Sequence, residues 1–114
     1  MLSNMFSRSN AGADPCTIGD EEFALAVNDG HCDVIDVREP HEFSSGHIPN
    51  SINMPVSTFD PQELPSGKPV VLICQSGRRS LHALGQAHAA GRGDVRHYAG
   101  GVTRWRSVGG DFTV

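Results

Sequence analysis

The chain lacks any apolar run near the roughly 18 residues that a membrane-spanning helix needs. Its first stretch, MLSNMFSRSNAGAD, holds one arginine and no apolar h-region, so no secretory signal is expected there. The expected compartment is then the cytoplasm, where thiols stay reduced. Cysteine is scarce, with only Cys16, Cys32 and Cys74. An odd number without CxxC spacing argues against a disulfide framework and against a zinc site built on paired cysteines. The six histidines show no metal-ligand spacing either; His82 and His88 fall on different faces of one helix. No metal and no cofactor is therefore expected. An excess of positive charge is also missing. The formal net charge is −4, which argues against generic nucleic-acid binding. Against that acidic background the adjacent pair Arg78-Arg79 stands out.

What is present is an ordinary soluble composition, 38% hydrophobic and 19% charged. At 114 residues the chain has room for one domain with one core. Residues 1–13 read as a flexible polar tail, in which Leu2, Met5 and Phe6 would share one apolar helical turn. Residues 14–114 read as the single domain. "PCTI" (15–18) predicts a short strand. The segment 20–28 predicts a helix, its first turn carrying Asp20, Glu21 and Glu22 at the positive end of the dipole, with Asp29-Gly30 as the stop. A strand follows over 32–37, then one helical turn opened by Pro40, a short strand at 51–54 and a Pro-rich surface loop over 60–69. "VVLIC" (70–74) is apolar throughout, as expected of a strand buried on both faces. A helix is expected over 79–90 with Leu81, Leu84 and His88 on one inward stripe and Ala87 beside them. A strand is expected over 94–99, and a last short helix between glycine pairs turns Val102, Trp105 and Val108 inward. Strands alternating with helices predict an α/β domain with a mostly parallel sheet and helices on both faces.

In such sheets ligands bind beyond the carboxyl ends of the strands. Cys74 stands at that end of the most apolar strand, followed by "QSGRRS" and a helix start. A loop wrapped around the sulfur would aim several backbone N–H groups at one spot, and amides, helix dipole and arginines would act together on an anion there. The sulfur is expected as a thiolate, since helix N-termini and cationic neighbours favour a cysteine's charged form. Gly77 permits the tight turn and a close backbone approach. The stretch predicts a nucleophilic cysteine in an anion cradle, against the plainer alternative of an inert cysteine closing a core strand. Phosphate-transferring cysteine enzymes have Cys, five residues, then Arg. Here the sixth position after the cysteine is Ser80, and arginine comes one residue early at Arg79. The shorter loop suits one extra sulfur atom better than a tetrahedral phosphate.

With "DVREPHEFSSGHIPNSINMP" (36–55), "VVLICQSGRRS" (70–80) and "HYAGGVTRW" (97–105), the chain resembles the single-domain rhodaneses, a family of sulfurtransferases, from about 17 to 110. The resemblance implies a rhodanese-like α/β fold with a five-stranded, mostly parallel sheet flanked by helices. It implies a cysteine that takes sulfane sulfur from a donor such as thiosulfate, holds it as a persulfide and passes it to cyanide, a thiol or a protein. Carried onto this chain, Cys74 is the nucleophile, and Gln75, Ser76, Gly77, Arg78, Arg79 and Ser80 form the cradle. The partners implied are a small anionic sulfur donor and a thiol or protein acceptor, with neither nucleic acid nor membrane. Two places depart from the family pattern. "HAAGRGDV" (88–95) lacks bulky apolar residues, so loose packing is expected there. Ala99 stands where a longer or acidic side chain is usual.

Asp36, Arg38 and Glu42 make a charged group at the end of the second predicted strand. Arg38 would bind the donor, or the group would form an ion-pair network with Asp36 or Glu42 against Arg79. The second arrangement makes Arg79 structural and leaves Arg78 to meet the substrate. His47 is expected to stabilise a turn rather than act as a base, and Trp105 to anchor the core. Cys16 and Cys32 are expected to be partly buried bystanders rather than partners that resolve a persulfide. The Ser76 and Ser80 hydroxyls would bond the persulfide, with helix capping as the competing role for Ser80. Four activities are in play: a sulfur-transferring enzyme, a protein-to-protein sulfur carrier, a non-catalytic interaction domain, and a phosphatase or arsenate reductase. Cys74 argues against the third and the loop length against the fourth.

Overall fold

The computed structural model describes residues 15–114; the tail predicted over 1–13 and its turn at Leu2, Met5 and Phe6 lie outside the described residues. Four strands, β1 (Asp33–Asp36), β2 (Ile52–Asn53), β3 (Val70–Ile73) and β4 (Arg96–His97), form one sheet in the order β2-β1-β3-β4. Every pairing is parallel. Four helices connect them: α1 (Asp20–Asn28), α2 (Pro40–Ser44), α3 (Arg78–Ala89) and α4 (Gly101–Ser107). The Pro-rich segment before β3 carries two short 3-10 turns, Val56–Thr58 and Pro61–Glu63.

Among the described residues the expected fifth strand is not formed. Thr17 makes an isolated parallel bridge to His97, held by Ile18 N–H to the His97 carbonyl at 3.1 Å and His97 N–H to the Cys16 carbonyl at 2.9 Å. The segment lies against β4 as a fifth strand would, but it has no room to extend. Pro15 has no N–H to offer a ladder, and α1 begins at Asp20.

Side-chain alternation along the strands divides the core into two layers. Ile35, Val37, Val70, Leu72 and Cys74 face Ala83, Leu84 and Ala87 of α3. Val34, Val71, Ile73 and Tyr98 face Phe23 of α1 and Val102 and Trp105 of α4. β3 is buried along its whole length, as its unbroken apolar sequence requires. Phe23 stacks on Tyr98 at 4.5 Å between ring centroids and meets Trp105 edge-on at 5.2 Å. Trp105 is the core anchor expected of it, and its Nε1–H donates to the Asp111 carbonyl at 2.7 Å.

Two inward assignments are corrected. Leu81 is 56% exposed and Val108 is 48% exposed. The buried face of α3 is instead Ser80, Ala83, Leu84 and Ala87. Ser80 is drawn inward by polar partners at the cysteine loop, and that turns the helix so that Leu81, the next residue, points out. Val108 follows the last residue of α4 and lies beyond the turn that packs. The segment 88–95 lacks bulky side chains but is tied down by polar contacts. Arg92 donates to the Leu64 and Pro65 carbonyls at 3.3 and 3.0 Å and pairs with Asp94 at 3.0 Å. His88 Nε2 lies 2.8 Å from the Val95 carbonyl, and Val95 is fully buried.

Candidate active site

Parallel strands all end on the same edge of the sheet, so the segments leaving β1 and β3 meet there. Cys74 follows β3 directly, and the chain turns through Gln75 and Ser76 to Gly77, the residue capping α3. Gly77 has φ of +99°, and a Cβ there would run into the Ala99 carbonyl oxygen. This position needs glycine on both counts. The turn brings the sulfur back onto the start of α3. Cys74 Sγ accepts the Gly77 N–H at 3.1 Å and the Ser80 N–H at 3.3 Å, with the Ser80 hydroxyl at 3.6 Å. These are amides that a helix start leaves without intrahelical partners.

The other side of the loop is held by α4. Val102 N–H donates to the Cys74 carbonyl at 2.9 Å, and Thr103 N–H to the Gln75 carbonyl at 3.1 Å. A Cβ on Gly101 would collide with that Gln75 carbonyl. The Cys74 and Gln75 carbonyls are thus turned onto α4 while the Gly77 and Ser80 amides face the sulfur. Two backbone amides converging on one atom make an anion-binding arrangement. The Gln75 amide locks the arrangement, its Nε2 donating to Thr103 Oγ1 at 2.9 Å and its Oε1 accepting from Arg38 Nη1 at 3.4 Å. No local signal announces α4's part in the loop, because it depends on a tertiary contact some thirty residues downstream.

The charged group at the end of β1 sorts into two pairs. Arg38 and Asp36 form a two-pronged buried pair, Nε to Oδ1 at 3.0 Å and Nη2 to Oδ2 at 2.8 Å, and Arg38 also donates to the Gly46 carbonyl at 2.7 Å. Arg38 is only 4% exposed. Arg79 pairs with Glu42 across two contacts of 2.7 and 3.0 Å. The Arg79 guanidinium holds the Glu42 carboxyl at about 2, against its usual 4.5, helped by the Glu39 N–H. Asp36 does not reach Arg79; its partner is Arg38. The Arg78 side chain, by contrast, is exposed and makes no hydrogen bond or ion pair among the described residues. Ser76 is also exposed. Beside Gln75 opens a cleft of about 280 Å³ lined by Arg38, His41, Glu42, Arg106 and Phe112, among others. The Arg106 guanidinium lies over the Phe112 ring at 4.7 Å.

His47 keeps to its turn, with Nδ1 2.8 Å from the Phe43 carbonyl and its ring stacked on Phe43. Asn53 was not foreseen: its amide donates to the Asp36 and Arg38 carbonyls at 3.0 and 2.9 Å and fixes the end of β1. His97 was not foreseen either. It is buried on β4 with Nδ1 2.9 Å from the Ser80 hydroxyl. Cys16 packs at the edge of the α3-side core and Cys32 at the edge of the other, where burial pushes its thiol up. Among the described residues no cluster of three or more histidine, cysteine or acidic side chains could hold a metal ion, and no helix is long and apolar enough to cross a membrane.

Known proteins share this architecture and sequence. Residues 20–108 match the Rhodanese-like domain family. The thiosulfate:glutathione sulfurtransferase of Saccharomyces cerevisiae is 34% identical over 102 residues, covering 76% of this chain and 73% of that protein. The uncharacterized protein slr1261 of Synechocystis is 42% identical over 78 residues, and the matched part spans 67% of this chain and 44% of that protein. The human single-domain sulfurtransferase TSTD1 superposes with a TM-score of 0.70 at 27% identity, covering 82% of this chain and 97% of that one. The chain belongs to the rhodanese-like sulfurtransferase family.

Proposed function

We propose that the protein moves sulfane sulfur through a persulfide on Cys74, from a small anionic donor of the thiosulfate type to a thiophilic acceptor such as cyanide or a thiol. The observation that carries this is the sulfur's position. Sγ sits at the start of α3 with the Gly77 and Ser80 amides on it. A thiolate in that place attacks the outer sulfur of thiosulfate. A new S–S bond forms, the S–S bond of the donor breaks, and sulfite leaves with the electron pair. The sulfur taken up carries a negative charge that amide donors can meet. In the second half, the acceptor's lone pair attacks the outer sulfur and Cys74 leaves again as thiolate. With cyanide the product is thiocyanate. With Cys74 as thiolate and the acceptor as cyanide or a thiolate, no proton has to be removed in either half, which agrees with His47 being engaged elsewhere.

Arg78 supplies an exposed positive charge for an anionic donor, while Arg79 is committed to Glu42. The phosphatase alternative stays unfavoured, since that same engagement takes away the arginine nearest to the position such an enzyme needs. A relative named for a thiosulfate and glutathione activity supports turnover of small donors over a role as protein-to-protein carrier. The test is thiocyanate formation from thiosulfate and cyanide. Turnover is expected for the native protein and none for Cys74→Ser; turnover that survives in the serine variant would refute the mechanism.

A further inference from the structure

One buried, titratable side chain near the sulfur takes no part in the chemistry above. His97 stands opposite Leu72 in the sheet register, on the face that α3 covers. Its Nδ1 lies 2.9 Å from the Ser80 hydroxyl, which in turn lies 3.6 Å from Cys74 Sγ. His97 is 3% exposed and Ser80 fully buried, so bulk water does not compete for these contacts.

A serine hydroxyl has one proton to give. Three atoms lie within its reach: Nδ1, Sγ, and the Gly77 carbonyl at 3.2 Å. The Gly77 carbonyl already accepts the Leu81 N–H at 3.1 Å. If Nδ1 is bare, this shortest contact takes the hydroxyl proton, and the sulfur faces the lone pairs of the serine oxygen. If Nδ1 carries its hydrogen, it donates to that oxygen and the hydroxyl proton is left to the Gly77 carbonyl or to the sulfur, of which an anionic sulfur is the stronger acceptor. Only the second arrangement gives a sulfur anion a third donor beside the amides of Gly77 and Ser80.

We propose that His97 is a positioning residue: as the Nδ1–H tautomer it sets the Ser80 hydroxyl to donate to Cys74 Sγ. This rests on the reading of Cys74 as the nucleophile that carries sulfur. A hydrogen bond to an ionised acceptor is stronger than one between neutral groups, so the contact matters most in the two states where Cys74 is a thiolate, before uptake and after transfer.

Two measurements test it. A long-range ¹H–¹⁵N spectrum of the native protein should show His97 protonated at Nδ1. Alkylation of Cys74 by iodoacetamide near neutral pH, mapped by peptide mass, should slow about tenfold in Ser80→Ala and in His97→Leu, the loss expected for one hydrogen bond to a charged atom. The double variant should be no slower than either single one, because both remove the same contact. His97→Asn, which puts an amide donor near the place of Nδ1, should restore the rate to within about threefold of native. A bare Nδ1, native-rate alkylation in His97→Leu, or losses that add in the double variant would overturn the proposal. If His97→Leu does not fold, the tautomer spectrum of the native protein decides. Persulfide formation on thiosulfate treatment, followed in the native protein, separates this from the broader reading. Persulfide with no response to His97 sinks the relay alone, whereas the full relay pattern with no persulfide sinks the sulfur-transfer reading alone.

Discussion

Arg78 and Arg79 are neighbours in the chain with opposite surroundings, so their variants should fail differently. Arg78 is exposed and unpaired among the described residues. Arg78→Ala should raise the KM for thiosulfate and leave the melting temperature nearly unchanged. That defect should shrink as salt rises, because exposed charges are screened over ~8–10 Å. Arg79→Ala removes the partner of Glu42. The pair's side chains are 33% and 26% exposed. That lies between exposed pairs, at under about 1 kcal/mol, and buried ones, at about 3–5 kcal/mol on breaking, so a loss of about 1–2 kcal/mol is expected. The pH window follows from Glu42, which titrates at about 2 in the fold against 4.5 ordinarily. A carboxyl lowered by folding stabilises the fold above its unfolded value and loses that contribution as pH falls through the folded one. The gap in stability between native protein and Arg79→Ala should therefore be full above about pH 5 and close toward pH 2. Thermal melts across that window check it; a gap that stays constant would remove the Glu42 pair as the cause.

At the scale of elements, the loop from β3 to α3 depends on one backbone position. Gly77→Ala meets both a positive φ and the Ala99 carbonyl. A strained backbone of this kind costs of order 1–3 kcal/mol, and any relief must move the amide that faces Sγ. The variant should lose thiosulfate turnover out of proportion to its loss of stability; kcat near native would mean that the loop geometry is not needed. The elements themselves were legible where local signals agree. Acidic residues at the start and Asp-Gly at the end bound α1 at the predicted limits, Asp20–Asn28. The apolar run of β3 announced a strand buried on both faces, and the small residues after Cys74 announced the turn. What stayed hidden was set by contacts distant in sequence. The strand predicted at 15–18 became a single bridge because α1 follows too soon. Leu81 turned outward because Ser80 is held by His97 and the cysteine loop. The role of Val102 and Thr103 in bracing that loop, and of Asn53 in fixing the end of β1, could be read only once β1, β3 and α4 were seen side by side.

Across the whole molecule, one sheet with helices on both faces brings the segments that follow β1 and β3 to a single edge. The two core layers hold that edge in place from opposite sides. α3 presents its amides to the sulfur, while α4 takes up the carbonyls of the same loop. The sequence stretches that mark the family are therefore the ones that build this corner. Cys16 and Cys32 sit at the margins of the two layers, so sulfur chemistry at the corner should be confined to Cys74. Intact mass after incubation with thiosulfate, followed by peptide mapping and a cyanide chase, tests this most directly. The expected result is a gain of one sulfur atom, located on Cys74 and removed by cyanide; no gain, or a sulfur found on Cys16 or Cys32, would contradict it.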